Sequence, residues 1–270
     1  MRQVPSTPMN IHSFKQKKAL GKKISMLTCY DYASARILAA SNIDCVLVGD
    51  SVAMVVHGHN TTVMATMEMM LLHTASVARG LNNQFLISDL PFLSHRMSHE
   101  KTIANVQSLM QAGAHAIKLE GADDDTLKTI TYLVNAGIPI MGHIGLMPQS
   151  VHQLGGHRVQ GKSDAQASIL LEQAQALQAA GCFALVIECV PSHVAKAITD
   201  SLDIPTIGIG AGIHTDGQVL VWHDALGLQN ELTPRFVKQF SAGQSFLLDA
   251  INAYAQEVTN SDFPSAEHAF

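Results

Sequence analysis

The stretch AIKLEGADDDTLKTITYLVNAGIPIMGH, residues 116–143, decides the fold. A short apolar run, 116–119, ends in Glu120-Gly121. Apolar residues at helical spacing follow over 125–136. A second apolar run, 138–141, leads into Gly142-His143. Strand, helix and strand in this order form a βαβ unit, whose two strands run parallel because the helix carries the chain back. The rhythm continues in both directions. Upstream lie runs at 24–29, at 45–48 before Gly49-Asp50, and at 85–87 before Ser88-Asp89. Downstream lie runs at 184–187 before Glu188, at 206–209 before Gly210-Ala211-Gly212, and at 219–222 before His223-Asp224. Helical spacing fills most gaps, over 34–40, 66–78, 100–112, 165–180 and 192–201.

Eight such runs predict the α/β class and a closed (β/α)8 barrel. The 270 residues suit one barrel domain, 1–270, with an N-terminal helical extension. The connection between runs seven and eight is too short for a full helix. Residues 145–162, rich in Gly and Gln without a clear period, read as a lid or binding loop. Met64, Met67, Met69 and Met70 read as adaptable core filler.

Composition narrows the function classes. With 47% hydrophobic and 14% charged residues the chain is neither disordered nor extreme. A net charge of −5 provides no basic face for nucleic acid. Lys15, Lys17, Lys18, Lys22 and Lys23 read as the solvated face of an N-terminal helix and its turn. Cys29, Cys45, Cys182 and Cys189 form no C-x-x-C pair, which suits a reducing cytoplasm. Residues 1–5 show no apolar signal core, and no run of about 18 apolar residues predicts a membrane span.

In such barrels the chemistry sits at the C-terminal ends of the strands. Strand-end position selects Asp50, Ser51, Asp89, Lys118, Glu120, His143, Glu188, His223 and Asp224. Asp50, Asp89 and Glu120 are hard oxygen ligands that suit Mg2+. An α-keto acid chelates such a metal through two oxygens, and the metal stabilises an enolate as a Lewis acid. Lys118 and Glu120 alternate on one strand and face the same way. Lys118 is placed to neutralise an oxyanion, and Glu188 to remove the proton beside the ketone. His143 is a hydrogen-bond donor in this scheme. Plainer readings stay open: helix caps for Asp50 and Asp89, an ion pair between Lys118 and Glu120, a core histidine for His143. Two competing motifs are weaker. Residues 208–212 lack the G-x-G-x-x-G spacing and a following helix. His57-Gly58-His59 mimics a zinc hydrolase pair but lies well after the second run.

Several strings also carry a resemblance. Val48-Gly49-Asp50-Ser51, Ser88-Asp89-Leu90-Pro91-Phe92, Ala116-Ile117-Lys118-Leu119-Glu120-Gly121 and Gly142-His143-Ile144-Gly145-Leu146-Met147-Pro148-Gln149-Ser150 come first. Val159-Gln160-Gly161, Ile187-Glu188-Cys189-Val190-Pro191, Ile207-Gly208-Ile209-Gly210-Ala211-Gly212 and Asp216-Gly217-Gln218-Val219-Leu220-Val221 follow. In this order they resemble the ketopantoate hydroxymethyltransferase family, from about Lys15 to the C-terminus. The resemblance implies a barrel of the phosphoenolpyruvate/pyruvate superfamily type, assembled as a homodecamer. It implies transfer of a one-carbon unit from 5,10-methylenetetrahydrofolate to α-ketoisovalerate, giving ketopantoate in pantothenate synthesis. By the same resemblance Asp50 and Asp89 match Mg2+ ligands, and Glu120 completes that site partly through water. Ser51 and Lys118 match keto-acid contacts, Glu188 matches the base, and His143 lies in a matching segment. Another Mg2+-dependent keto-acid lyase or aldolase, or a non-catalytic barrel, are the competing readings.

Overall fold

The computed structural model describes residues 8–156, 158–229 and 234–270. The segment 1–5 and His157 of the expected loop lie outside them. The chain divides into two compact units, Met1–Leu220 and Val221–Phe270.

The first unit begins with α1 (Ile11–Ala19), β1 (Ile24–Thr28), α2 (Tyr32–Ala39), β2 (Cys45–Val48), α3 (Val52–Val55) and α4 (Met67–Gly80). Then come β3 (Phe85–Asp89), α5 (His99–Gln111), β4 (Ala116–Lys118), α6 (Asp124–Asn135) and β5 (Ile140–Gly145). It ends with α7 (Val151–Leu154), α8 (Asp164–Ala179), β6 (Ala184–Glu188), α9 (Ser192–Ser201), β7 (Thr206–Ile209) and β8 (Gly217–Leu220). All neighbouring strands pair in parallel, and β8 pairs back onto β1, so the sheet is a closed barrel. Polar residues start the outer helices. Thr66, Ser98, Asp123 and Ser163 each accept a hydrogen bond from a backbone N–H in the first turn of α4, α5, α6 and α8.

Side chains alternate along each strand, and the inward set forms one core: Ile24, Met26, Cys45, Leu47, Phe85, Ile87, Ala116, Met141, Ala184, Val186, Ile207 and Val219. Phe14 of α1 joins it at the N-terminal floor. There it packs edge-on against Phe85 at 5.5 Å and Phe183 at 5.2 Å. Met70 is fully buried as core filler, whereas Met64 is exposed.

Two strands start away from their expected positions. β5 starts at Ile140, two residues later than expected, because Pro139 has no N–H to give the ladder. It then runs on to Gly145, so His143 lies within the strand. β8 is Gly217–Leu220, two residues earlier than expected. A Cβ on Gly217 would stand 2.5 Å from the Ile24 carbonyl oxygen, so glycine here permits close strand pairing and does not mark a turn. His223 and Asp224 therefore belong to a helix and not to a strand end. Residues 210–216 hold no helix, as the short connection predicted. The lysine cluster is more than a solvated face. Lys17 pairs with Asp44 at 2.5 Å and Lys18 with Asp216 at 2.9 Å, while Lys23 donates to the Thr215 carbonyl.

The second unit holds α10 (Trp222–Leu226) and α11 (Gly243–Asn260). Phe240 N–H donates to Ala225 O, and Gln244 N–H to Gly227 O. No residue of α11 is buried; Phe246, Leu248, Ile251 and Tyr254 are all exposed.

Candidate active site

The inward columns of the strands change character at the C-terminal end. Phe85 and Ile87 lead to Asp89, Ala116 to Lys118 and Glu120, Met141 to His143, and Ala184 and Val186 to Glu188. Asp50 follows β2 after Gly49. Asp50, Asp89, Lys118, Glu120 and His143 are all buried, and the Glu188 side chain is 15% exposed.

Asp50 N–H donates to Asp89 Oδ2 at 3.0 Å, which ties the ends of β2 and β3. Asp89 and Lys118 are register partners, and Lys118 Nζ stands 3.2 Å from Asp89 Oδ1. That separation lacks hydrogen-bond alignment, so Asp89 Oδ1 stays without a hydrogen bond despite its charge partner. Lys118 thus pairs with Asp89, not with Glu120 as its plainer reading had it. His143 lies between two carboxylates. Its Nδ1 is 3.5 Å from Glu120 Oε1 and its Nε2 3.3 Å from Glu188 Oε2. Nδ1 is also 3.2 Å from Lys118 Nζ. An Nδ1 that accepts from Lys118 carries no proton, so the two contacts at that atom belong to different protonation states. Nε2 faces Glu188 without hydrogen-bond alignment.

The charges explain the pKa shifts. Burial, with Asp89 and Glu120 nearby, pushes Asp50 well above the usual carboxylate range. Burial also raises Asp89, although Lys118 opposes it. For Glu120, burial is outweighed by hydrogen bonding to His143 and by Lys118, and the net shift is downward. Burial and Lys118 push His143 down, but Glu120 and Glu188 prevail and raise it to about 9.

The structure brings together Asp50, Asp89, Lys118, Glu120, His143 and Glu188. Ser51 is half-buried next to Asp50, and its Oγ shares a hydrogen bond with Tyr30 Oη at 2.7 Å. His57 instead pairs with His73, Nε2 to Nε2 at 2.9 Å, in an exposed position. Sequence reasoning missed two residues. Tyr30 directly follows the first apolar run, and a filter that admitted phenols at strand ends would have found it. Gln149 donates from Nε2 to Asp50 Oδ2 at 2.8 Å, but an uncharged side chain passes no test for ionisable groups. His95 is a third buried polar group, with neither ring nitrogen hydrogen-bonded; burial lowers its pKa to about 4.

Four carboxyl groups face one lysine and one histidine, an excess of acidic groups in which burial disfavours ionisation of Asp50 and Asp89. Buried charges need partners, and hard oxygens suit a divalent cation. Among the described residues no three His, Cys, Asp or Glu side chains already stand grouped as a metal site. The residues fit Mg2+ by charge and donor type.

A closed parallel barrel with this set of side chains at its strand ends defines a (β/α)8-barrel enzyme. The chain belongs to the ketopantoate hydroxymethyltransferase family, whose model matches residues 8–266. It is 66% identical to 3-methyl-2-oxobutanoate hydroxymethyltransferase of Legionella pneumophila (strain Paris), covering 97% of this chain and 100% of that one. It is 52% identical to the enzyme of that name from Coxiella burnetii (strain CbuK_Q154), covering 96% and 97%. Solved structures share the fold. Phosphoenolpyruvate phosphomutase from Streptomyces platensis subsp. rosaceus superposes with a TM-score of 0.63 at 11% identity, covering 94% and 88%. A phosphonopyruvate hydrolase in complex with oxalate and Mg2+ gives 0.61 at 12%, covering 96% and 92%. A 2,3-dimethylmalate lyase of the PEP mutase/isocitrate lyase superfamily gives 0.60 at 13%, covering 94% and 89%.

Proposed function

We propose that this transferase moves a one-carbon unit from 5,10-methylenetetrahydrofolate to α-ketoisovalerate, giving ketopantoate for pantothenate synthesis, with Mg2+ as cofactor. The observation that carries the reading is the excess of buried carboxylate at the barrel mouth. Asp50, Asp89 and Glu120 would hold the cation. When bound, Mg2+ supplies Lewis acidity to the substrate's carbonyl oxygen. The phosphonopyruvate hydrolase of the same fold, with its oxalate and Mg2+, supports this choice.

The remaining work falls to this chain's own side chains. Ser51, its Oγ oriented by Tyr30, binds an oxygen of the keto acid. Lys118, held beside Asp89, neutralises charge that grows on the ketone oxygen. Glu188 takes the proton from the carbon beside the ketone, with His143 3.3 Å away as its charge partner. As the carbon so activated bonds to the folate's methylene carbon, one of the two carbon–nitrogen bonds of that methylene breaks, and its nitrogen takes the proton that Glu188 removed. Water replaces the second carbon–nitrogen bond, giving its hydroxyl to the carbon and a proton to the nitrogen, and tetrahydrofolate leaves.

Assembly into a homo-oligomer, the decamer of the family, belongs to the same reading. Support comes from the exposed apolar residues of α11. So does a cytoplasmic location, supported by four unpaired cysteines. Among the described residues no helix is long and apolar enough to cross a membrane. The test is ketopantoate formation from the two substrates, with Mg2+ and with a chelator. Product only with metal is the expected result. No product in either case, from folded protein, would move the reading to another keto-acid reaction.

A further inference from the structure

Resting on that reading, we propose that Gln149 is the positioning residue of the metal site, holding Asp50 and Glu120 where they receive the cation. Gln149 lies in a single 3-10 turn, Pro148–Ser150, shortly after β5, and is buried. Its backbone N–H donates to Glu120 Oε2 at 3.1 Å. Its side-chain nitrogen has two protons and uses both, on Asp50 Oδ2 at 2.8 Å and on the Leu90 carbonyl at 3.0 Å. One residue thereby joins the segments that follow β2, β3 and β4.

The turn that presents Gln149 is itself fixed. Gly145 has φ +93°, and a Cβ there would lie 2.2 Å from the Glu188 carbonyl oxygen. No other residue type permits that approach. Leu146 N–H then donates to the same oxygen at 2.8 Å. The backbone of the proposed base thus anchors the segment that reaches the proposed metal carboxylates.

The chemistry explains an amide at this place. Asp50 is buried beside Asp89 and Glu120, and like charges drive its carboxylate away from them. Among the described residues, Gln149 provides the side-chain hydrogen bond that the Asp50 carboxylate accepts. A lysine or arginine would hold Asp50 equally well but would cancel the charge meant for the cation. A neutral amide orients the carboxylate and leaves its charge intact. Each carboxylate oxygen has two lone pairs, so the hydrogen bond does not consume the ligand site.

The test uses Mn2+ binding, followed by electron paramagnetic resonance, on the full chain and two variants. Gln149→Met keeps length and volume and loses the donor. It should weaken Mn2+ binding by about 10- to 100-fold, the usual effect of losing a group that orients a ligand. The activity lost at limiting metal should return in part as Mn2+ is raised, and metal-free melting should fall only by the loss of the two buried hydrogen bonds. Gln149→Lys should abolish Mn2+ binding while the metal-free protein melts no lower than the parent, because the new cation pairs with Asp50. A purely structural role would lower melting in both variants alike. Gln149→Met that binds Mn2+ like the parent would overturn the proposal. So would unchanged affinity with kcat lost, which would place Gln149 on the substrate. A parent protein that binds no Mn2+ would remove the metal reading and this inference together; a normal parent with a normal Gln149→Met removes the inference alone.

Discussion

The floor and the mouth of the barrel are built from the same strands and the same inward-facing columns, yet they do opposite things. At the floor Phe14, Phe85 and Phe183 interlock edge to face over Ile24, Cys45 and Ala116. Full burial of one such aromatic side chain stabilises by about 1.5–3 kcal/mol. At the mouth, two to four residues further along the same strands, Asp89, Lys118, Glu120, His143 and Glu188 are gathered with Asp50 out of water. Burial there disfavours ionisation of Asp50 and Asp89, and several close pairs lack hydrogen-bond alignment. A scaffold closed by hydrophobic packing at one end tolerates electrostatic frustration at the other. A change at the mouth should therefore alter activity without unfolding the chain, and a change at the floor should do the reverse.

The largest expected effect is at the mouth. Glu188→Gln is nearly isosteric and removes the base. Turnover should fall by about 10^2- to 10^4-fold, the range for loss of a positioned general base. Mn2+ affinity, keto-acid binding and the melting temperature should stay close to the parent's. Parent-like turnover would remove Glu188 from the mechanism. Next comes the floor. Phe14→Ala should cost about 3–5 kcal/mol in denaturant unfolding, because Phe14 is fully buried and its cavity has rigid neighbours. Turnover per folded molecule should not change. Lost turnover at full folding would show that the floor shapes the mouth, and the comparison would fail.

How much of this contrast is legible in the chain follows from the same geometry. The strands are short apolar runs, and several end where the inward column turns ionisable, as from Ile87 to Asp89 and from Val186 to Glu188. Both the barrel and the charged rim could be read from that. What the sequence hid has physical causes. β8 begins at Gly217, before the apolar run 219–222, because glycine without a side chain permits close pairing with β1, a fit that apolar spacing does not register, and His223-Asp224 then fall in α10. α11 has no side-chain cap at Ala242 to mark its start. Gln149 and Tyr30 act through hydrogen bonds in three dimensions, with no charge to flag them. Lys17, Lys18 and Lys23 looked solvated because their partners, Asp44, Asp216 and the Thr215 carbonyl, are remote in sequence.

A pH experiment sharpens the contrast further. In metal-free protein the carboxylates around His143 raise its pKa from 6.5 to about 9. A raised pKa means that the folded state binds the proton more tightly than the unfolded state. The stability that His143 contributes is therefore fully present below about pH 6.5 and is lost as pH rises through 9. Melting in a chelator, compared between the parent and His143→Gln, should show a difference that shrinks steadily over that window. A difference independent of pH would mean that His143 packs there as a neutral ring.

The smallest effect belongs to an ion pair below the barrel. Lys17 Nζ meets Asp44 Oδ1 at 2.5 Å and also reaches the Lys23 carbonyl at 3.3 Å. Its distance is shorter than that of any charge pair at the mouth, yet its removal should matter less. Both partners keep partial contact with water, at 25% and 18% side-chain exposure. Asp44 also accepts from Ser25 N–H at 2.8 Å and Ser25 Oγ at 2.9 Å, so it keeps two donors when the lysine goes. Lys17→Met preserves the aliphatic stem and should cost about 0–1 kcal/mol in denaturant unfolding, less in high salt. Distance alone is then a poor guide to worth: what separates this pair from the mouth is access to water and spare hydrogen-bond donors. A cost above about 2 kcal/mol, near the upper range for hydrogen bonds to charged groups, would show that the lower end also depends on a buried charge.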